Sequence, residues 1–499
     1  MSKQGFSLNK QSFSLSKQSF SLNKKILLVL WVIFMVTHLI NILEFPIFED
    51  EAEYLILAQQ VYSNPIHNLL IYPFNGLLPM FGWLVPLITI FTHDTLLGGR
   101  LLNVLLASTL IFWIDMIASL YGFNKRFRYI AIILLVTSPF LFLNARMGLL
   151  DTSILVFTSW YIYFTAKLLK KPSSHYEVLG LFLTLIGAFL TKATAIFGIP
   201  VVVYLFFRAL RGDEREKSNF KKVLKVHLLV AAIFFSVLIF YGQAIIADTG
   251  SSSATHLGIS RILPRIELNS RLTWIWSLVY LGQFLLLLPF SYKLKKNKIN
   301  ELFIIMLIWA VTATLLMIIF NRFYYPRHML SLTIPVIVIG AGILSEIRLL
   351  PSAALLLIMI LIKAPTNYYI LFNYQKADLA LEDRVSYFEE YTSGIRINDV
   401  ADKINALSQN DLITVWIDGS WNLEYGLRRQ LKDNQNIKFL SYRLGDYFVP
   451  HDVSKIYKDG DKKTYVVVNR FQPPNKKDLE LIENFKISFR QGIQIYQIK

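Results

Sequence analysis

Along most of the chain apolar residues come in long unbroken runs, and the polar positions gather in short clusters between them. Strong runs lie at 25–44, 98–120, 128–145, 152–169, 177–191, 193–208, 223–247, 272–292, 300–320, 329–345 and 350–371. A run of roughly 20 residues is long enough to cross the hydrocarbon core as a helix. The run 77–92 is apolar as well, but it is short for a crossing and Pro79 and Pro86 interrupt it. The pattern therefore predicts a polytopic helical membrane protein with eleven strong spans and leaves 77–92 ambiguous, to be placed by the charges between the runs.

Two stretches depart from this pattern. Residues 1–24 hold a tandem heptad, KQGFSLN, KQSFSLS and KQSFSLN, in which Phe and Leu sit two apart, so it forms no helical stripe. The expectation is a disordered low-complexity tail. The run that follows, Ile26 to Leu43, exceeds a signal-peptide core and no small-residue cleavage site succeeds it, so it is expected to stay as the first span. From about 373 the chain carries many charges, a helix-like stretch near 396–408, and strand-like runs at 413–417, 464–468 and 493–498. Residues 373–499 are expected to form a small soluble α/β domain, after a transmembrane domain at 25–372.

Composition agrees. Of 499 residues 54% are hydrophobic and 17% charged, against about 45–50% and about 25% in soluble domains, which excludes an ordinary soluble enzyme. Zero cysteines remove thiol nucleophiles and thiolate metal sites. A net charge of +17 would suggest nucleic acid in a soluble chain, but here the basic residues fall mainly between apolar runs. Topology explains them better, and no nucleic-acid partner is expected. With the N-terminus inside and 77–92 at the outer interface, the loops Lys125 to Arg128, Lys167 to Lys171, Arg208 to Lys225, Lys293 to Lys298 and Glu346 to Arg348 all face the cytoplasm. Outside lie the acidic stretch 44–97, the turn 146–151, the loop 248–271 and the C-terminal domain.

Four polar constellations fall on that outer side. Glu49, Asp50, Glu51 and Glu53 open a helix-like stretch on which Asp50 and Tyr54 share a face. Arg146 and Asp151 bracket the end of the third span, Lys192 follows Thr191 between two apolar runs, and Arg322, Arg327 and His328 form a basic outer loop where basic residues are normally avoided. Each has a bland reading: a solvated acidic helix start, a structural ion pair, a snorkelling lysine, a headgroup contact. Together they suit displacement of a polyprenyl phosphate from a sugar. The departing phosphate diester needs cations, and the incoming hydroxyl needs a carboxylate base. One such base without a covalent intermediate predicts inversion at the anomeric carbon.

The chain resembles C-type membrane glycosyltransferases (GT-C) of the protein O-mannosyltransferase and lipid A aminoarabinose transferase kind over about residues 25–345. In that family Asp-Glu with a Tyr three residues later opens the first outer loop, matched by Asp50, Glu51 and Tyr54. An arginine begins the second span, as Arg100 does; Leu150-Asp151 closes the third; Thr191-Lys192 precedes a run with Pro200; and Arg322 to His328 resembles a basic, Pro-containing segment ahead of a late span. The family's amphipathic segment in the first outer loop corresponds to 77–92. The resemblance implies an enzyme of the hexosyl- or pentosyltransferase class, using a polyprenyl-phosphate sugar donor and an acceptor protein, lipid or glycan, at the outer face of a cell membrane. It implies Asp50 as catalytic base or acceptor-orienting acid and Asp151 as a second acid lining the site, with Glu51, Tyr54, Arg100, Arg146, Lys192, Arg322, Arg327 and His328 as substrate-binding candidates. No cofactor is firmly implied; a divalent metal is conceivable, but the acids lack a clear ligand spacing. One departure stands out: the lysine that family members commonly carry before the amphipathic segment is missing between Tyr72 and Trp83, so phosphate binding would shift to Arg146, Lys192 or the 322–328 cluster. The alternative class is a transporter or lipid flippase, for which Asp115 within the second span is the best residue, although no repeated halves are visible.

Overall fold

A computed structural model describes residues 24–68, 79–171, 174–249, 259–292, 300–320, 324–390, 392–418, 420–441, 462–469, 479–487 and 492–499. The heptad tail, Arg322 and most of the stretch from Tyr72 to Trp83 lie outside them.

The membrane part is built of helices α1 (Lys24–Leu39), α2 (Glu49–Ser63), α3 (Pro65–Asn68), α4 (Met80–Thr92), α5 (Thr95–Leu120), α6 (Lys125–Val136), α7 (Pro139–Ala145), α8 (Leu150–Lys170), α9 (His175–Thr191), α10 (Ile199–Leu210), α11 (Glu214–Thr249), α12 (Ile259–Leu281), α13 (Glu301–Phe320), α14 (Thr333–Glu346) and α15 (Leu349–Phe372). Among the described residues, Thr95–Leu120, Pro264–Phe290, Glu301–Ile319, Pro326–Glu346 and Leu349–Phe372 are long and apolar enough to cross a membrane as single segments. Leu and Ile side chains of α15, among them Leu350, Leu357 and Leu361, stay exposed, as a lipid-facing helix requires. In contrast, α8 is buried along nearly its whole length.

Two expected spans are interrupted. The run 128–145 is divided into α6 and α7, which meet at 56°. Pro139 starts α7, and the ring disfavours helical geometry at the residue before it. The run 193–208 opens as a 3₁₀ turn, Ala193–Gly198, because Lys192 is extended (φ −160°, ψ 144°) and ends α9. The segment expected at the interface is α4, only 13 residues long, with Pro86 inside it. It packs on α2 and α5. Asp94 caps α5 by accepting from the N–H groups of Leu96 (2.9 Å) and Leu97 (3.2 Å).

Charges at the opposite end of the bundle pair among themselves. Lys167 meets Glu177 (2.6 Å), Lys170 meets Glu301 (2.6 Å), and Arg128 meets Asp115 (3.2 Å). Asp115 is thus neutralised by the start of α6.

Beyond α15 come α16 (Leu381–Arg384), α17 (Ile397–Leu407), β1 (Ile413–Asp418), α18 (Trp421–Gln430), β2 (Ile437–Ser441), β3 (Lys463–Val468), β4 (Leu479–Lys486) and β5 (Gly492–Ile498). The strands form one mixed sheet of order β2-β1-β3-β5-β4, parallel across the first three and antiparallel across the last two pairings. β1 is a continuous buried run because α17 and α18 cover one face, against Ile413, Val415 and Ile417, while Trp416 packs with Val466 and Tyr496 on the other.

This sheet unit is fastened to the first loop of the membrane part. The Glu49 carboxylate accepts from the N–H groups of Trp421 (2.8 Å) and Asn422 (3.2 Å), capping α18. At the other end of α18, Arg429 donates to both oxygens of Asp94 (3.1 and 3.2 Å from Nε). Burial alone would raise the Asp94 carboxyl, but this pairing and the capped amides hold it below its ordinary value.

Gly394, in the connection to α17, lies flat on the backbone of Ile47: a Cβ there would stand 2.5 Å from its nitrogen and 2.6 Å from its oxygen. Neither atom can rotate away. Gly394→Ala is therefore expected to cost about 1–3 kcal/mol, read as a lower melting temperature of the detergent-solubilised protein. An unchanged melting curve would mean that this contact does not hold the two parts together.

Candidate active site

Asp50 and Glu51 are adjacent on α2 but point to different partners. Glu51 is fully buried and faces α5, where Arg100, also fully buried, meets it with two donors (Nε to Oε1 and Nη2 to Oε2, both 2.7 Å). The remaining three donors of Arg100 reach the carbonyls of Ile42 (2.6 Å), Phe45 (2.9 Å) and Pro46 (3.1 Å). All five guanidinium donors are thus taken. Glu51 Oε1 also accepts from Gly148 N–H at 2.6 Å. Gly148 fits here because a Cβ would stand 3.2 Å from that same oxygen.

The turn after α7 is held from a second side. Asn103 Nδ2 donates to the carbonyls of Met147 (2.6 Å) and Leu149 (2.7 Å), and its Oδ1 accepts from Ser153 (2.8 Å). Arg146 turns away, donating to the carbonyls of Thr37 (3.2 Å), His38 (3.0 Å) and Asn41 (3.1 Å) at the end of α1. What this turn delivers is Asp151, in the first turn of α8.

Asp151 meets Lys192 (Nζ to Oδ1, 2.8 Å), which the break after α9 presents. Its other oxygen lies 3.8 Å from Nε of Arg327. Arg327 Nη2 donates to Asp50 Oδ2 at 2.5 Å, so one guanidinium spans the acids of α2 and α8. That guanidinium lies near two aromatic rings, 4.5 Å from the centroid of Tyr325 and 5.0 Å from that of Phe48. Its Nη1 is buried without a hydrogen-bond partner. His328 follows, its Nδ1 accepting from Tyr325 N–H at 3.4 Å. Tyr54, one turn along α2 from Asp50, packs edge-on against Phe81. Burial first, then Asp50 and Glu53, push its phenol well above the ordinary range, so it is a neutral hydrogen-bonding group.

Arg327, His328 and Asp151 line a narrow cleft of about 20 Å³ whose other walls include Leu155, Phe197, Leu330 and Trp309. A larger cleft, about 270 Å³, lies along α2 beyond Asp50, between Gln59, Gln60 and His93 on one side and Arg428 and Lys432 on the other. Among the described residues no three His, Asp or Glu side chains gather as a metal-ligand set.

The structure thus gathers Asp50, Asp151, Lys192, Arg327 and His328, with Tyr54 beside them. Arg100 and Glu51 are engaged with each other and with backbone, away from this group. Arg146 donates from Nη1 and Nη2 to the carbonyls ending α1, and its Nε is buried without a hydrogen-bond partner among the described residues. Arg322 lies outside the described residues. Phe48 and Tyr325, which flank Arg327, were missed. Their only signal in the sequence is that each sits within two residues of a charged site residue.

A family model described as dolichyl-phosphate-mannose-protein mannosyltransferase matches residues 73–241. Among solved structures the chain is similar to ArnT from Cupriavidus metallidurans bound to undecaprenyl phosphate, at 12% identity and a TM-score of 0.59, covering 95% of this chain and 97% of that one. The apo state of the same protein gives 13%, 0.61, 95% and 98%. The oligosaccharyltransferase of Archaeoglobus fulgidus, in complex with Zn and sulfate, gives 14% and 0.51, covering 81% of this chain and 61% of that one. Comparison with curated protein sequences finds no match. The fold is therefore that of the GT-C membrane glycosyltransferases, and the protein is a multi-pass membrane protein.

Because all donors of Arg100 are used inside the fold, Arg100→Ala leaves Glu51 buried and unpaired. The expected cost is about 3–5 kcal/mol, seen as a collapse of the melting temperature or of the folded yield. A variant that melts like wild type yet binds lipid phosphate poorly would instead return Arg100 to the substrate site.

Proposed function

We propose that the chain is an inverting glycosyltransferase that moves a sugar from a polyprenyl-phosphate donor to an acceptor hydroxyl at the outer face of the membrane. The observation that carries this reading is the convergence of two acids and two cations from four distant segments: Asp50, Asp151, Lys192 and Arg327. A lipid phosphate entering the cleft beside Arg327 and His328 finds charge at its head and apolar walls along its tail. As the bond from the anomeric carbon to the phosphate oxygen breaks, its electron pair leaves with the polyprenyl phosphate, and Lys192 and Arg327 stabilise that charge. Asp50 takes the proton of the acceptor hydroxyl as its oxygen bonds to the anomeric carbon from the opposite face. Asp151 keeps Lys192 and Arg327 in place. The acceptor approaches along the larger cleft, which reaches Gln59 and Gln60, about 14 Å up the same helix from Asp50 at 1.5 Å per residue.

The same reading sets the orientation. The N-terminus is inside, eleven segments cross, and the site and the domain 373–499 face outward, since the basic loops at the other end then lie in the cytoplasm. The family match and the fold favour an enzyme over a transporter or flippase, and the one intramembrane acid that suited the latter, Asp115, is paired with Arg128.

Purified protein given a panel of polyprenyl-phosphate sugars is expected to release or transfer sugar from at least one. Asp50→Asn should lower the rate by about 10²–10⁴-fold, and full activity in that variant would remove Asp50 from the chemistry. Independently, a topology reporter fused at Ser174 should read cytoplasmic. An outside signal there would overturn the orientation.

A further inference from the structure

The proposed base is already paired. Among the described residues Asp50 meets Arg327, which also has the cation role toward the donor phosphate, so two anions share one guanidinium. Asp50 Oδ2 sits at 2.5 Å from Nη2, and a carboxylate held by a guanidinium is a weaker base at both of its oxygens. The side chain of Arg327 is 6% exposed and that of Asp50 is 31% exposed, so the acid can swing toward solvent while the cation stays. The aromatic rings of Phe48 and Tyr325 flank the guanidinium, and its Nη1 is buried without a hydrogen-bond partner among the described residues. That is the arrangement expected of a cation with unspent capacity for a second, multidentate anion, and a phosphate diester is a better match to it than one carboxylate oxygen.

We propose that the donor phosphate competes with Asp50 for Arg327, so that binding of the donor loosens the ion pair and makes Asp50 the stronger base. This inference rests on the glycosyltransferase reading and deepens it: Arg327 couples donor occupancy to the basicity of Asp50. Because linkage is reciprocal, the Asp50–Arg327 contact must weaken donor binding by the same factor that donor binding weakens the contact. Removing the competing charge therefore tightens the lipid while abolishing turnover, whereas an ordinary loss of an active-site acid would leave binding unchanged or poorer.

The test is a double-mutant cycle on the full-length protein in detergent, with undecaprenyl phosphate as the probe and equilibrium binding as the readout. Asp50→Asn is expected to bind roughly three- to tenfold more tightly than wild type. In an Arg327→Gln background the same change should alter binding by less than about twofold. Glu53→Gln, which removes an equal charge from the same helix, should stay within about twofold of wild type. The inference is overturned if Asp50→Asn does not bind more tightly, if the gain persists without Arg327, or if Glu53→Gln gains as much. Should the Arg327→Gln chain fail to fold, the comparison of Asp50→Asn with Glu53→Gln decides alone. Failure of every chain, wild type included, to bind the lipid phosphate would overturn the donor reading itself.

Discussion

The buried pair of Glu51 and Arg100 is the contact on which the rest of the site depends. It fixes the start of α2 on α5, gathers three carbonyls of the chain between α1 and α2, and through Gly148 ties in the turn that precedes Asp151. Two charges withdrawn from water repay that cost only when every donor and lone pair is engaged. Here the guanidinium is saturated, and Glu51 takes an additional backbone N–H. The outcome is a rigid corner from which Asp50, the next residue on α2, projects the other way.

The division of labour between neighbours recurs across this end of the protein. Glu49 caps α18 of the C-terminal unit, Asp50 meets Arg327, and Glu51 is locked to Arg100, so three consecutive acids have three separate partners. Their mutual repulsion is relieved because each has found a separate positive or N–H partner. The C-terminal unit thus reaches to within one residue of the proposed base. Its second anchor, Arg429 on Asp94, also holds the cap of α5, the helix that carries Arg100.

Much of the fold was legible from the chain. Long apolar runs bounded by basic clusters announce membrane helices, and the strand-like runs at 413–417, 464–468 and 493–498 fall on strands β1, β3 and β5. The strands at 437–441 and 479–486 were not foreseen, since IKFLS and LELIENFK carry too little apolar alternation to stand out alone. The bend between α6 and α7 did have a signal, Pro139, that an apolar run masks. For the site, order and residue type pointed to segments that the fold does bring together, at Asp50, Asp151, Lys192 and Arg327, but how each charge is engaged did not follow from them. Arg100, Arg146 and Arg327 are all arginines at one end of the bundle, and nothing local distinguishes them.

By itself the sequence determined the membrane character, the asymmetry of charge between the two ends, and the set of acids and cations available for chemistry. These depend on composition and period, which each segment carries alone. Only the tertiary structure decided how each arginine is engaged. That depends on what surrounds each guanidinium: the five donors of Arg100 go to Glu51 and three backbone carbonyls, Arg146 reaches the carbonyls ending α1, and Arg327 stands between two acids. Hydrogen-bond saturation is a property of the assembled neighbourhood, set by chain segments far apart in sequence, and no pattern along one segment contains it.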